Sequence, residues 1–294
     1  MKPRDVLIAL SIPTIFGFGF VLAKAALDHF PPIFLMAIRF SLSALALIWF
    51  VPVPRAHLKH IVLIAIVGGT LQYSLVYSAL RDLYASTAAL AIQIEVPFAA
   101  LLAAIFLKDH LGWRRLAGMA IAFLGIAIIA GEPRLEGNLL PLFLMLAGAF
   151  SWAASQVMIK TLGPIGGFTL IAWIAALSTP FLFASSYVLE SNQIEAIRTA
   201  GPEHWFAVLY LGLFMTTVGY AMWYYILAKY SVNQVMPFNL LMPITSVAAG
   251  MLLLGEEPAI DVFLGGAVLL VGVAIILIRR PRLATPGPEG SADP

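Results

Sequence analysis

The stretch Tyr84–Leu107, YASTAALAIQIEVPFAALLAAIFL, carries one charged residue, Glu95, in twenty-four positions. A helix rises 1.5 Å per residue, so this run spans roughly 36 Å, enough for a hydrocarbon core of about 30 Å. It is too long and too continuously apolar for a strand of a membrane barrel, which alternates over about ten residues. A second stretch 146 residues later, Tyr230–Leu254, YSVNQVMPFNLLMPITSVAAGMLLL, lays Tyr84 on Tyr230 and Pro97 on Pro243.

Working outward, ten apolar runs emerge: Asp5–Leu27, Pro31–Val51, His60–Leu80, Tyr84–Leu107, Trp113–Ala130, Asn138–Thr161, Gly166–Leu189, His204–Leu227, Val232–Leu254 and Ile260–Ile278. The whole chain of 294 residues is 61% hydrophobic and 11% charged, with a mean hydropathy of +0.96. A soluble domain would carry about 25% charged residues, so the composition excludes a water-facing globule and leaves no room for a separate soluble domain. A net charge of +2 gives no reason to expect nucleic acid as a partner. The Pro- and Gly-rich residues 280–294 are expected to be disordered. Lys2 and Arg4 ahead of the first run, with Ala23-Lys24-Ala25 after it, resemble a signal peptide. Cleavage is not expected, because the repeat described next needs this segment.

The basic residues are unevenly placed. Twelve fall on one side of the predicted spans: Lys2, Arg4, Arg55, Lys59, Lys108, Arg114, Arg115, Lys160, Lys229, Arg279, Arg280 and Arg282. Four fall on the other, Lys24, Arg81, Arg134 and Arg198, and Arg39 lies inside a span. By the positive-inside rule both termini are cytoplasmic.

The two opening stretches belong to a longer repeat. An offset of 136 lays Phe16-Gly17 on Trp152-Ala153, Lys24 on Lys160 and Ala37-Ile38 on Trp173-Ile174. After about ten extra residues near Glu190–Pro202, an offset of 146 to 147 also lays Asp109 on Glu256, Gly118 on Gly265 and Gly125 on Gly272. The expected organisation is a first five-helix repeat (1–130), a linker (131–137), a second five-helix repeat (138–279) and the tail. Five spans is an odd number, so the second repeat must enter the membrane from the opposite side. Such inverted repeats accompany alternating-access transport. Gly118/Gly125 and Gly265/Gly272 recur every seven residues and read as close helix-packing faces. A monomer is expected, or a homodimer through those faces.

With these match points the chain resembles the drug/metabolite transporter superfamily, and within it the EamA-type exporters, which include bacterial amino-acid exporters. The resemblance is carried by Phe16-Gly17 with Phe20 and Lys24, Arg39-Phe40, Glu95-Val96-Pro97, and Leu107-Lys108-Asp109, where the family often has Gly-Glu. Gly118, Gly125, Gly255-Glu256, Gly265 and Gly272 complete it. The usual Trp-Gly of the first helix is Phe16-Gly17 here. The resemblance implies a bacterial inner-membrane exporter of amino acids or related small metabolites.

Polar groups inside spans mark candidate sites. Pro97 and Pro243 each free the carbonyl four residues earlier, those of Gln93 and Asn239, so each half places a kink and an amide together. Tyr73 and Tyr77 share a helix face, with Gln72 beside them. Tyr220, Trp223 and Tyr224 form a comparable stripe, as do Trp152, Ser155 and Gln156. The expected substrate-binding set is therefore Gln72, Tyr73, Tyr77, Gln93, Trp152, Gln156, Tyr220, Trp223, Tyr224 and Asn239, with Pro97 and Pro243 as kinks or gates. Local kinks and interfacial aromatic anchors are the structural alternatives. Arg39 and Glu95 are the two charges near mid-membrane. They are expected to pair and lock the second and fourth helices, the rival being a Glu95 that couples protons to export. Lys24 and Lys160 either snorkel to the headgroups or attract substrate carboxylates at the two mouths.

No cysteine occurs, the five histidines sit at span edges or in loops, and neither Gly-x-Ser-x-Gly nor a P-loop is present. Neither an enzyme, nor a metal, nor a cofactor is expected. The remaining alternatives are a non-transporting scaffold or assembly subunit, or a transporter of another metabolite or drug class.

Overall fold

The computed structural model describes residues 1–109, 111–163, 165–230, 235 and 238–277, with the side chains of 134, 224, 227 and 228 excepted. Every regular element among them is helical. The longer helices of the described residues are named in chain order. In the first half they are α1 (Pro3–Leu27), α2 (Pro32–Phe50), α3 (Arg55–Asp82), α4 (Ala85–Phe106) and α5 (Trp113–Ile129). In the second they are α6 (Leu140–Thr161), α7 (Gly167–Leu189), α8 (Pro202–Lys229), α9 (Leu241–Leu254) and α10 (Ile260–Leu277). Among the described residues eight helical runs are long and apolar enough to cross a membrane, and the helix Leu241–Leu254 is a shorter apolar one. Large apolar side chains on the outside, such as Phe50, Leu252 and Val188, are largely exposed. That is the surface of a multi-pass membrane protein, since lipid tails solvate what water would reject.

The extra residues of the second half fold as a short helix, Gln193–Thr199, between α7 and α8. The linker holds one 3₁₀ turn, Pro133–Leu135. The tail expected to be disordered lies outside the described residues, as do 231–234, part of the expected ninth span.

Packing pairs one half with the other. Helix α1 lies along α9 and α6 along α4, while α2 packs on α7 and α5 on α10. The α5–α10 contact explains the seven-residue glycine spacing. A Cβ at Gly125 would come within 2.6 Å of the Gly265 carbonyl, and one at Gly272 within 2.5 Å of the Gly118 carbonyl. Small residues let membrane helices approach until their backbones touch. These faces are used up inside the chain, so they are not free for the homodimer contact that the sequence left open.

Local irregularities recur at the same offsets. A π-helical segment interrupts α3 at Ala65–Leu71 and α8 at Tyr210–Gly219. In each, a threonine hydroxyl donates to the carbonyl five residues back: Thr70 to Ala65 at 3.1 Å and Thr216 to Leu211 at 3.0 Å. Helices α4 and α9 end alike. Lys108 and Gly255 both take positive φ, +55° and +63°, and the next amides, of Asp109 and Glu256, bond back to the carbonyls of Ala103 and Gly250. The Gly-Glu turn of the second half is thereby explained. Gly255 supplies the left-handed residue that closes the helix, and Lys108 must adopt the same conformation without glycine's freedom.

Candidate functional site

The π segments deliver the candidate side chains. A π turn widens the helix by one residue and is frequent at functional sites. In α3 it ends at Leu71, and Gln72, Tyr73 and Tyr77 follow directly. In α8 it ends at Gly219, and Tyr220 and Trp223 follow. Gly69 allows the first of these its close approach to α7, since a Cβ there would meet the Ser178 hydroxyl.

Tyr73 and Tyr77 stack with ring centroids 5.9 Å apart, and Phe40 meets Tyr73 edge-on at 4.7 Å. Arg39, buried at 3% exposure, points its guanidinium into this group. Its Nη1 donates to the Tyr77 hydroxyl at 2.7 Å. The guanidinium carbon lies 5.2 Å from the Tyr73 ring centre and 5.9 Å from that of Phe40. Two weaker donated contacts go to sulfur: Nη1 to Met36 at 3.8 Å and Nη2 to Met215 at 3.9 Å. Inserting an arginine at a helix centre costs about 2.5–3.5 kcal/mol, and a desolvated cation–π contact returns about 2 kcal/mol.

The expected Arg39–Glu95 pair does not form. Helix α2 packs against α7, α3 and α8 rather than α4, so Arg39 turns onto the tyrosines of α3. Among the described residues Glu95 makes neither an ion pair nor a hydrogen bond. It is the first residue of the helical segment Glu95–Phe106, which resumes after a 3₁₀ turn at Ile92–Ile94.

That turn carries Gln93, which is buried. In the second half the chain turns at Leu240, right after Asn239, and helix resumes at Leu241. Pro97 and Pro243 therefore each stand third in a restarting segment, where a missing amide hydrogen costs little. The two helices are discontinuous at equivalent points.

The other candidates are scattered. Trp223 packs with the cluster of Ile12, Ile226 and Val235, away from the arginine. Tyr220 is the exception: it meets Phe16 edge-on at 5.4 Å and lies within electrostatic reach of Arg39. Trp152 and Gln156 are half-buried on α6, with the Ser155 hydroxyl donating to the Trp152 carbonyl. The Tyr224 side chain lies outside the described residues. Gln72 is buried at 6% exposure, and among the described residues its Oε1 meets no hydrogen-bond partner, nor do the hydroxyls of Ser74 and Thr217. Gln72 and Ser74 directly follow the first π segment, and Thr217 lies within the second.

Lys24 is engaged within the protein, its Nζ donating to the carbonyls of Leu80 and Arg81 at 3.1 and 2.6 Å at the end of α3. Lys160 sits 3.6 Å from Asp109 in an exposed pair. Sequence reasoning missed two carboxylates that cap distant helices. Glu190 accepts the amides of Ile33 and Phe34 at the start of α2, at 2.7 and 3.0 Å. Glu256 accepts the amides of Ala85 and Ser86 and the Ser86 hydroxyl at the start of α4. It also missed Met36 and Met215, whose role shows only once α2 and α8 are brought together.

This arrangement occurs in a chain whose two halves match one family model separately. Residues 4–131 and 139–278 each match the EamA-like transporter family. The chain belongs to that family. It is similar to a protein of Escherichia coli named "Probable amino-acid metabolite efflux pump", 29% identical over 94% of this chain and 95% of that one. A protein of the same name from Salmonella typhimurium is 30% identical over 92% and 93%. A "Probable terminal-alkyne amino-acid exporter" of Streptantibioticus cattleyicolor is 30% identical over 69% of each chain. A solved crystal structure superposes with a TM-score of 0.65 at 16% identity, over 98% of this chain and all of that one, and it shares the fold. The family makes the chain a membrane transporter.

Proposed function

We propose that this transporter exports amino acids or related small metabolites across a bacterial inner membrane by alternating access. The two five-helix halves (1–130 and 138–279) are inverted repeats rocking about a cavity between them, with both termini cytoplasmic. The observation that carries the reading is the paired discontinuity. Each half sets a π segment before an aromatic stripe and breaks a second helix at an amide, Gln93 or Asn239. Broken helices with freed carbonyls are how transporters of this kind build midplane sites. Two copies of one device facing opposite ways give the cavity two mouths.

Gln72, Tyr73, Tyr77, Gln93, Trp152, Gln156, Tyr220, Trp223, Tyr224 and Asn239 are the proposed lining. Amides and hydroxyls suit the polar ends of a zwitterion, and aromatic walls accept varied side chains. The names of the relatives support amino-acid substrates. The protein performs no chemistry on its cargo, and its work is a change of access. Purified protein in liposomes should exchange labelled L-amino acids in counterflow. No exchange with any of a panel of proteinogenic amino acids would sink the reading and favour a non-transporting scaffold.

Glu95 is the proposed coupling residue, because no partner engages its carboxylate among the described residues. Glu95→Gln should still catalyse counterflow but lose its response to an imposed pH gradient. An unchanged response would remove proton coupling through this residue.

A further inference from the structure

We propose that Arg39 is the anchor for a substrate carboxylate, the group that orients cargo within the cavity. The inference rests on the transport reading above and names the chemistry of one end of its site.

A guanidinium offers five N–H donors in a planar fork matched to a carboxylate. Arg39 uses one of them on a good acceptor, the Tyr77 hydroxyl. Two further contacts go to the thioethers of Met36 and Met215 at 3.8 and 3.9 Å, and thioether sulfur is a weak acceptor. Among the described residues no carboxylate or backbone carbonyl meets the group. A buried charge is ordinarily paired, and a merely structural arginine at this depth would be expected to have an acid beside it. Glu95, the acid nearest in depth, is not there.

The contacts that are present look replaceable. Met215 comes from the second half, inside the π segment Tyr210–Gly219, and fits because α1 has Gly19, where a Cβ would fall 2.6 Å from the Met215 sulfur. A flexible thioether can withdraw when that segment shifts. A carboxylate taking its place would make two charge-assisted bonds to the edge of the guanidinium, whose face stays held by Tyr73, Tyr77 and Phe40. Arg39 lies on Ala175 at the 136-residue offset, so the second half has no matching cation and the anchor is single. That suits one carboxylate per cargo molecule.

The test uses proteoliposomes and, as probe, the labelled L-amino acid that the wild type exchanges fastest, with its carboxamide and its decarboxylated amine as unlabelled competitors. The acid should compete, and both carboxylate-free analogues should need at least about 30-fold higher concentration, the ratio expected for an unpaired buried charge. Arg39→Met should raise KM for the amino acid by a similar factor while thermal unfolding of the empty protein stays level or moves upward, because it removes an uncompensated charge. Arg39→Lys should recover part of the affinity. Equal competition by the carboxamide in the wild type overturns the proposal and leaves the transport reading intact, whether or not the variants fold. An Arg39→Met protein with unaltered KM overturns it too. Absence of any amino-acid exchange by the wild type overturns both readings.

Discussion

The π segments of α3 and α8 are built alike and serve unlike ends. Each is closed by a threonine hydroxyl on the fifth carbonyl back, and each hands over to an aromatic stripe. In α3 the stripe is Tyr73 and Tyr77, stacked and turned onto Arg39. In α8 the corresponding region offers Tyr220, edge-on to Phe16 and reaching Arg39 only through space, and Trp223 in a separate apolar cluster. The charge is on one side alone. On the proposed alternating-access reading, a symmetric scaffold would let the two halves exchange roles as the mouths open and close. With the proposed lining, that asymmetry would hold the cargo in one orientation throughout.

The largest effect that would sharpen this contrast is steric. Gly69→Ala should destabilise the protein by about 1–3 kcal/mol, the usual cost of overpacking, because its Cβ would fall 1.9 Å from the Ser178 hydroxyl and 2.9 Å from the Ser178 Cβ. Gly219→Ala, whose nearest neighbour would be the Phe16 ring at 3.4 Å, should leave detergent thermal unfolding within about 0.5 kcal/mol of wild type. Equal losses would mean that the two segments are equally constrained. Next comes the cap on α4. Glu256→Ala leaves two buried amides without an acceptor and should cost about 1–2 kcal/mol. Lys160→Met breaks an exposed pair and should cost less than about 1 kcal/mol. The last concerns the breaks themselves. Gln93→Ala and Asn239→Ala should each slow counterflow roughly tenfold, one hydrogen bond's worth, with monodisperse protein retained on size exclusion. Unchanged flux in both would detach the amides from the pathway.

The helices were legible because lipid imposes a single rule. Backbone groups must bond within their own segment, so twenty apolar residues can do little else. The prolines at 97 and 243 announced the broken helices for the same reason. The π segments were not legible. Their signal, Gly68-Gly69-Thr70 and Thr216-Thr217, is a handful of small residues that a regular helix also accepts. The Arg39–Glu95 pairing failed on a different ground. Depth along a helix can be counted from sequence, but azimuth and neighbour cannot, and α2 turned out to have α7, α3 and α8 as neighbours. The dimer through the glycine faces failed likewise, because a stripe of small residues does not say whose backbone fills it.

Glu256 caps a helix that begins 171 positions before it. At five to twenty residues per second, synthesis takes on the order of ten to thirty seconds to cover that distance. Through that interval the first amides of α4 must be served by something else at the bilayer edge, water or the insertion machinery. Ribosome release of the first half alone should therefore yield a product without its own closure, one that awaits the second half to finish its fourth helix. The chain is written as two halves, but it is completed as one.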